Sequence, residues 1–183
     1  MIVQFISFFL PIAGSWREHI AYLSDCMLMC GTTSSTMENL LYTGTTIICD
    51  RYAFSGIAFS AAKVTACGNS FEWCKSPDIG LPAPDLVLFL DITPEKAKER
   101  GSYGEERYEK EEMQRRVREI FRRIGDEMCK ETTLRGDGVG TRWVTIDAGR
   151  DESAVAKDIW ASVENLVTTG VTGPVKKLWT AEK

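Results

Sequence analysis

The stretch Leu86-Val87-Leu88-Phe89-Leu90 stands between two aspartates and carries no polar residue. A run without alternation suits a strand covered on both faces, and a strand covered on both faces belongs to a sheet with helices packed on either side. Two further runs repeat the pattern. Thr45-Thr46-Ile47-Ile48-Cys49 is β-branched and apolar and ends at Asp50, and Arg142 to Ile146 ends at Asp147. Helical periodicity fills the intervals: a short helix through Met37, Leu40 and Leu41 closing at Gly44, small residues from Ala53 to Lys63, and a short piece from Phe71 to Lys75. Thr93-Pro94-Glu95 opens another as N-cap and N1 proline do. Met113, Val117, Ile120, Phe121, Ile124 and Met128 share one helical face, and Asp151 to Thr169 forms the last amphipathic helix, with Val155, Ile159, Val163 and Leu166 inward. Strand and helix in alternation predict an α/β fold, a three-layer open parallel sheet flanked by helices.

Composition bounds the partners. The chain has 183 residues, 44% hydrophobic and 26% charged, which is enough for one sizeable core. A net charge of -4 and a pI near 5.2 exclude a broad basic surface for nucleic acid, so any phosphate recognition is local. Cys26, Cys30, Cys49, Cys67, Cys74 and Cys129 form no CxxC pair and His19 is the only histidine, so zinc-ligand spacing is absent. Free thiols imply a reducing compartment. Met1 to Ala13 is apolar but has no basic residue ahead of it, reads as a poor signal peptide, and falls short of the about 20 residues a membrane helix needs.

In parallel α/β sheets, ligands bind beyond the carboxyl ends of the strands, where Asp50, Asp91 and Asp147 stand. Asp50 is followed at once by Arg51. An aspartate there can hold a magnesium-bound water and an arginine can clamp a phosphate with two parallel hydrogen bonds. The dipeptide alone equally suits a helix cap and a surface ion pair. The arginines of the long helix, Arg115, Arg116, Arg118, Arg122 and Arg123, interleave with Glu111, Glu112 and Glu119 and read as its solvated face.

The wider context of Asp50-Arg51 decides between those readings. Ile47 through Phe59, with Asp50-Arg51-Tyr52 and its small-residue helix, resembles the thymidylate kinase signature. The blocks Trp73 to Leu90 and Arg100 to Glu109 resemble the same family in the same order, closest to its eukaryotic form. The likeness runs from about Met37 onward, so 37–183 is the expected thymidylate kinase-like domain and 1–36 a divergent segment of unassigned structure.

The resemblance implies a P-loop fold of the nucleoside monophosphate kinase type and ATP-dependent phosphorylation of thymidine monophosphate (dTMP) with Mg2+. It implies that Arg51 grips the substrate phosphate, that Asp50 sits near the metal and the transferring phosphoryl group, and that Ser55, Gly56 and Phe59 shape the thymidine pocket. Arg100 and Arg107 bracket a glycine loop resembling the family lid, over about 100–108, with Arg100 near adenine and Arg107 on the phosphates; Tyr108 is a nucleoside contact. Arg150 matches a basic residue beside adenine, or is an exposed arginine in a turn. The family also implies a homodimer. No nucleic acid or membrane partner is expected, and the expected compartment is the cytoplasm, with nucleus and mitochondrion open.

One part of the pattern is missing. No glycine in the chain precedes a lysine, and the first lysine is Lys63, so the Gly-Lys-Ser/Thr loop that cradles ATP phosphates has no counterpart before Asp50. Ala13-Gly14-Ser15 is a superficial echo. The stretch Trp16 to Ser35 lacks the family's thymine-stacking phenylalanine and the arginine close after it. The expectation is a fold N-terminally incomplete, with impaired activity.

Overall fold

The computed structural model describes residues 4–9, 20–24, 31–64, 70–99, 111–135, 140–169 and 174–180. Five strands form one sheet: β1 (Gln4–Phe9), β2 (Ile20–Ser24), β3 (Thr46–Asp50), β4 (Leu86–Asp91) and β5 (Arg142–Asp147), in the order β2-β3-β1-β4-β5. Among the described residues six α-helices accompany them, α1 (Gly31–Tyr42), α2 (Ala53–Val64), α3 (Phe71–Lys75), α4 (Pro94–Glu99), α5 (Glu111–Arg135) and α6 (Glu152–Thr169), with one turn of 3-10 helix at Ser76–Asp78.

Side-chain alternation divides the apolar runs between two cores. Ile47 and Cys49 of β3, with Val87 and Phe89 of β4, face the cluster built with Met37, Phe54, Ile57, Phe121 and Ile124 from α1, α2 and α5. Leu86, Leu88 and Leu90 of β4 turn the other way with Phe8 and Ile146, under Val155, Ile159 and Val163 of α6. The sheet is therefore the middle of three layers, as expected. Leu86 to Phe89 are all fully buried, which is why that run carries no polar position. Where α5 crosses β5, Gly125 is required: a Cβ there would lie 2.6 Å from the Trp143 indole nitrogen.

Strand direction departs from a purely parallel sheet. β2 runs parallel to β3 and β4 to β5, but β1, in the central slot, is antiparallel to both β3 and β4. Gln4 lies opposite Leu90 and Phe9 opposite Ile47, so β1 leaves the sheet at the edge away from Asp50 and Asp91. Hydrophobic pattern sets which strand is buried and which face points inward; it leaves direction open, because an apolar run satisfies either ladder. Ser7 of β1 is fully buried with its hydroxyl oxygen unsatisfied. It stands opposite Cys49 and Val87, on the face that packs against α2 and α5.

The N-terminal stretch to which no element was assigned contains β2 and the first turns of α1. Gly31 to Ser35 is poor helix-forming sequence, and the helix is held by packing, with Met37 and Leu41 almost fully buried.

Candidate active site

β3 delivers Asp50 to the carboxyl edge of the sheet, and the chain turns sharply at the next residue. Arg51 has φ 63°, in the left-handed region that a side chain with a Cβ enters at a cost of about 1–3 kcal/mol. Such a conformation persists where the neighbours over-determine it. Asp50 is fixed by the β3 ladder. Tyr52 is 2% exposed, and its hydroxyl donates to the Pro82 carbonyl oxygen at 2.9 Å. Between these anchors the Arg51 side chain is half-buried at the strand end.

α2 starts directly after this turn, with the Ser55 amide donating to the Tyr52 carbonyl at 2.9 Å. Its buried face carries Phe54, Ile57, Ala58 and Ala62; Phe59 is half-buried and packs against the same core, while Ser55 is half-buried and Gly56 exposed. A Cβ built on Gly56 meets nothing within 4 Å, so the helix backbone is open there to a ligand. The structure thus brings Asp50, Arg51, Ser55, Gly56 and Phe59 to one strand-to-helix junction. Arg100, Arg107, Tyr108 and the rest of the lid lie outside the described residues.

The other strand ends are engaged within the protein. Asp91 takes two hydrogen bonds from Arg118, at 2.5 and 2.8 Å, and a third contact from Arg122 at 3.4 Å. The hydrogen bond to Asp91 raises the Arg118 pKa above its ordinary value. Arg118 therefore departs from the solvated-face reading: it borders the buried stripe of Gln114, Val117 and Phe121 and folds inward to pin α5 onto the end of β4. Asp147 accepts from the Gly149 amide at 2.8 Å, and Arg150 pairs with Asp158 of α6 and donates to the Asp147 carbonyl. Sequence reasoning also passed over Gln114. It is 4% exposed on the inner stripe of α5, and its amide oxygen has no hydrogen-bond partner, a polar group whose burial the core alone does not repay. Its place in an otherwise apolar stripe was the available signal.

Among the described residues no group of three or more His, Cys, Asp or Glu gathers to hold a metal. A divalent cation at Asp50 would share its coordination with substrate phosphates, an arrangement common for Mg2+, and the single carboxylate fits that role.

A family model described as thymidylate kinase matches residues 18–159. This chain belongs to the thymidylate kinase family. It is 44% identical over 148 residues to the thymidylate kinase of Arabidopsis thaliana, covering 80% of this chain and 49% of that protein. To the thymidylate kinase of Homo sapiens it is 41% identical over 143 residues, covering 78% and 61%. To that of Schizosaccharomyces pombe it is 50% identical over 125 residues, covering 68% and 52%. The chain thus spans from 49% to 61% of the length of these relatives. A solved thymidylate kinase from Candida albicans superposes with a TM-score of 0.62 at 31% identity, covering 80% of this chain and 67% of that one. The family match begins ahead of Met37 and takes in β2 and α1, where no motif was legible.

Proposed function

We propose that this thymidylate kinase-family chain binds dTMP at the carboxyl end of β3, as the monophosphate half of an enzyme that moves the γ-phosphoryl group of ATP onto dTMP, giving dTDP for dTTP synthesis. The observation that carries the reading is Arg51, held on a left-handed backbone at the strand end, in front of a helix whose Gly56 is open to a ligand. Strained residues fixed by their neighbours cluster at ligand sites.

The chemistry follows from the residues. A guanidinium held at Arg51 clamps two phosphate oxygens of dTMP, and the N-terminal amides of α2 favour the same charge. The remaining oxygen is free to attack the γ-phosphorus as ADP departs. Ser55, Gly56 and Phe59 line the nucleoside, with Tyr108 beside it. Arg100 and Arg107 close over ATP, and Arg107 neutralises charge building on the transferring group. Arg150 reaches adenine only by exchanging its pairing with Asp158, an exposed ion pair that costs little to break. Mg2+ at Asp50 would offset charge on the phosphates.

Turnover by this chain is read as impaired. It has no Gly-Lys-Ser/Thr loop, and antiparallel β1 ends at the edge of the sheet away from Asp50. Loss of one preorganised donor alone costs about a hundredfold or more in rate. The direction of β1 also favours a second reading, a non-catalytic member of the family that binds nucleotide or pairs with another subunit. A homodimer fits the same reading, since Trp73 is 58% exposed and a second copy would cover it. Cys49, Cys74 and Cys129 are not joined in disulfides, in keeping with a reducing compartment such as the cytoplasm. No helix among the described residues is long and apolar enough to cross a membrane.

Calorimetric titration of the purified chain with dTMP, dCMP and dGMP tests the binding reading, with Arg51→Ala as control. Saturable dTMP binding that is lost in Arg51→Ala is the expected result; equal binding by both proteins would overturn it.

A further inference from the structure

Residues 174–180 pack on the β3 half of the molecule in a way that phosphate recognition does not call on. They run antiparallel to 80–83. The Gly80 amide donates to the Leu178 carbonyl at 3.0 Å, the Leu178 amide to Leu81 at 2.8 Å, and the Ala83 amide to Lys176 at 2.8 Å. Pro82, bridged to Lys177, brings no N–H, and its carbonyl takes the Tyr52 hydroxyl instead. The acceptor that anchors Tyr52 is thus held in place by hydrogen bonds to residues 176–178 on both sides of it.

Side chains tighten the same arrangement. Leu178 is 1% exposed, in the core cluster that contains Tyr52 and Phe54. Trp179 lies edge-on to Phe54 at 5.9 Å, and the Lys75 ammonium stands 5.7 Å from its ring. Trp179 holds φ 53° and buries an indole N–H with no acceptor, two costs that only close packing offsets. Lys177 pairs with Glu38 of α1. Residues 174–180 themselves lie beyond residue 159, where the family match ends, and their partners lie within it.

We infer that residues 174–180 form a positioning strap: by fixing the Pro82 carbonyl they hold Tyr52, and through the Arg51–Tyr52 peptide they hold the Arg51 guanidinium at the monophosphate end of the sheet. The inference rests on the reading of Arg51 as the phosphate clamp. The strap touches no substrate; it acts by keeping a costly backbone conformation from relaxing.

The test compares the full chain with Trp179→Ala, Trp179→Phe, Tyr52→Phe and the Trp179→Ala/Tyr52→Phe double variant. Two quantities are followed: amide hydrogen exchange of the peptide spanning 50–56, and dTMP affinity. Trp179→Ala is expected to speed exchange at 50–56 and weaken dTMP binding about tenfold, with Trp179→Phe restoring both. Because the two residues act through one contact, the double variant is expected to be no weaker than the worse single variant, within about twofold. Unchanged exchange at 50–56 with a merely lowered melting temperature would overturn the strap, as would losses that multiply in the double variant. Should the unaltered chain bind no dTMP, the clamp reading fails, and exchange at 50–56 decides the strap by itself. If Trp179→Ala does not fold, Lys177→Ala keeps the core and is expected to move both quantities the same way by about twofold.

Discussion

β3 and β1 lie side by side in the same sheet, and they treat the ligand edge in opposite ways. β3 ends there, hands over Asp50 and Arg51 and leads into α2. β1 fills the central slot with its chain reversed and leaves at the far edge. The β3 side is densely packed, with Tyr52, Phe54, Ile57 and Ala58 buried at or below 2% exposure, and its unsatisfied polar atoms, the Gln114 amide oxygen and the Trp179 indole N–H, lie on the elements packed against it. The β1 side buries a serine hydroxyl that nothing satisfies. The difference separates two properties that usually travel together. If Arg51 is the phosphate clamp, as proposed, these 183 residues hold the monophosphate end of the site and no Gly-Lys-Ser/Thr loop.

Four substitutions probe that contrast. Phe54→Ala attacks the β3 core directly, since Phe54 is fully buried between Trp143 at 5.4 Å and Trp179 at 5.9 Å. It is expected to cost about 3–5 kcal/mol in denaturant unfolding. Arg51→Ala leaves the core intact and is expected to weaken dTMP binding by about ten- to a hundredfold, read by calorimetry, with the melting temperature unchanged, because alanine keeps the Cβ and with it the strain of the left-handed backbone.

Ser7→Ala tests the other side. If β1 occupies the slot with Ser7 inward, removing its hydroxyl stabilises the fold by about 1 kcal/mol in chemical unfolding; no gain would mean that the slot is filled otherwise. Asp78, in the turn that leads into residues 80–83, against which the strap runs, has its pKa raised to about 6 by burial. Its neutral form is favoured in the fold, so its contribution falls as pH rises from about 4 to 6, and above that window the full cost of the buried charge remains. Asp78→Asn is expected to raise the melting temperature by a few degrees at pH 8 and by nothing at pH 4, measured by thermal scans at the two pH values.

The β3 half was legible because its signals are local. A fully apolar run ending at Asp50, a dipeptide at a strand end and small residues at helical spacing each stand within a few positions of one another. The β4 run was legible for the same reason, its five apolar residues being buried on both faces. Four features were not. The direction of β1 depends on pairing with β3 and β4, and Gln4 to Phe9 would pair either way. The helix over Gly31 to Ser35 contradicts the propensity of its own residues and exists because Met37 and Leu41 are anchored on β3. The Arg118 clamp on Asp91 joins residues 27 positions apart, and a helical wheel shows only that Arg118 borders the polar face. The strap likewise joins Lys177 to Glu38 across 139 positions.

We propose that dTMP binding and turnover are separated in this chain. One preparation of the purified chain, titrated with dTMP and then assayed for dTDP formation with ATP and Mg2+, tests it. Saturable dTMP binding that depends on Arg51, with dTDP formation at least about a hundredfold below that of a family member carrying the Gly-Lys-Ser/Thr loop, is the predicted result. Robust dTDP formation by the chain, or no dTMP binding at all, would contradict it.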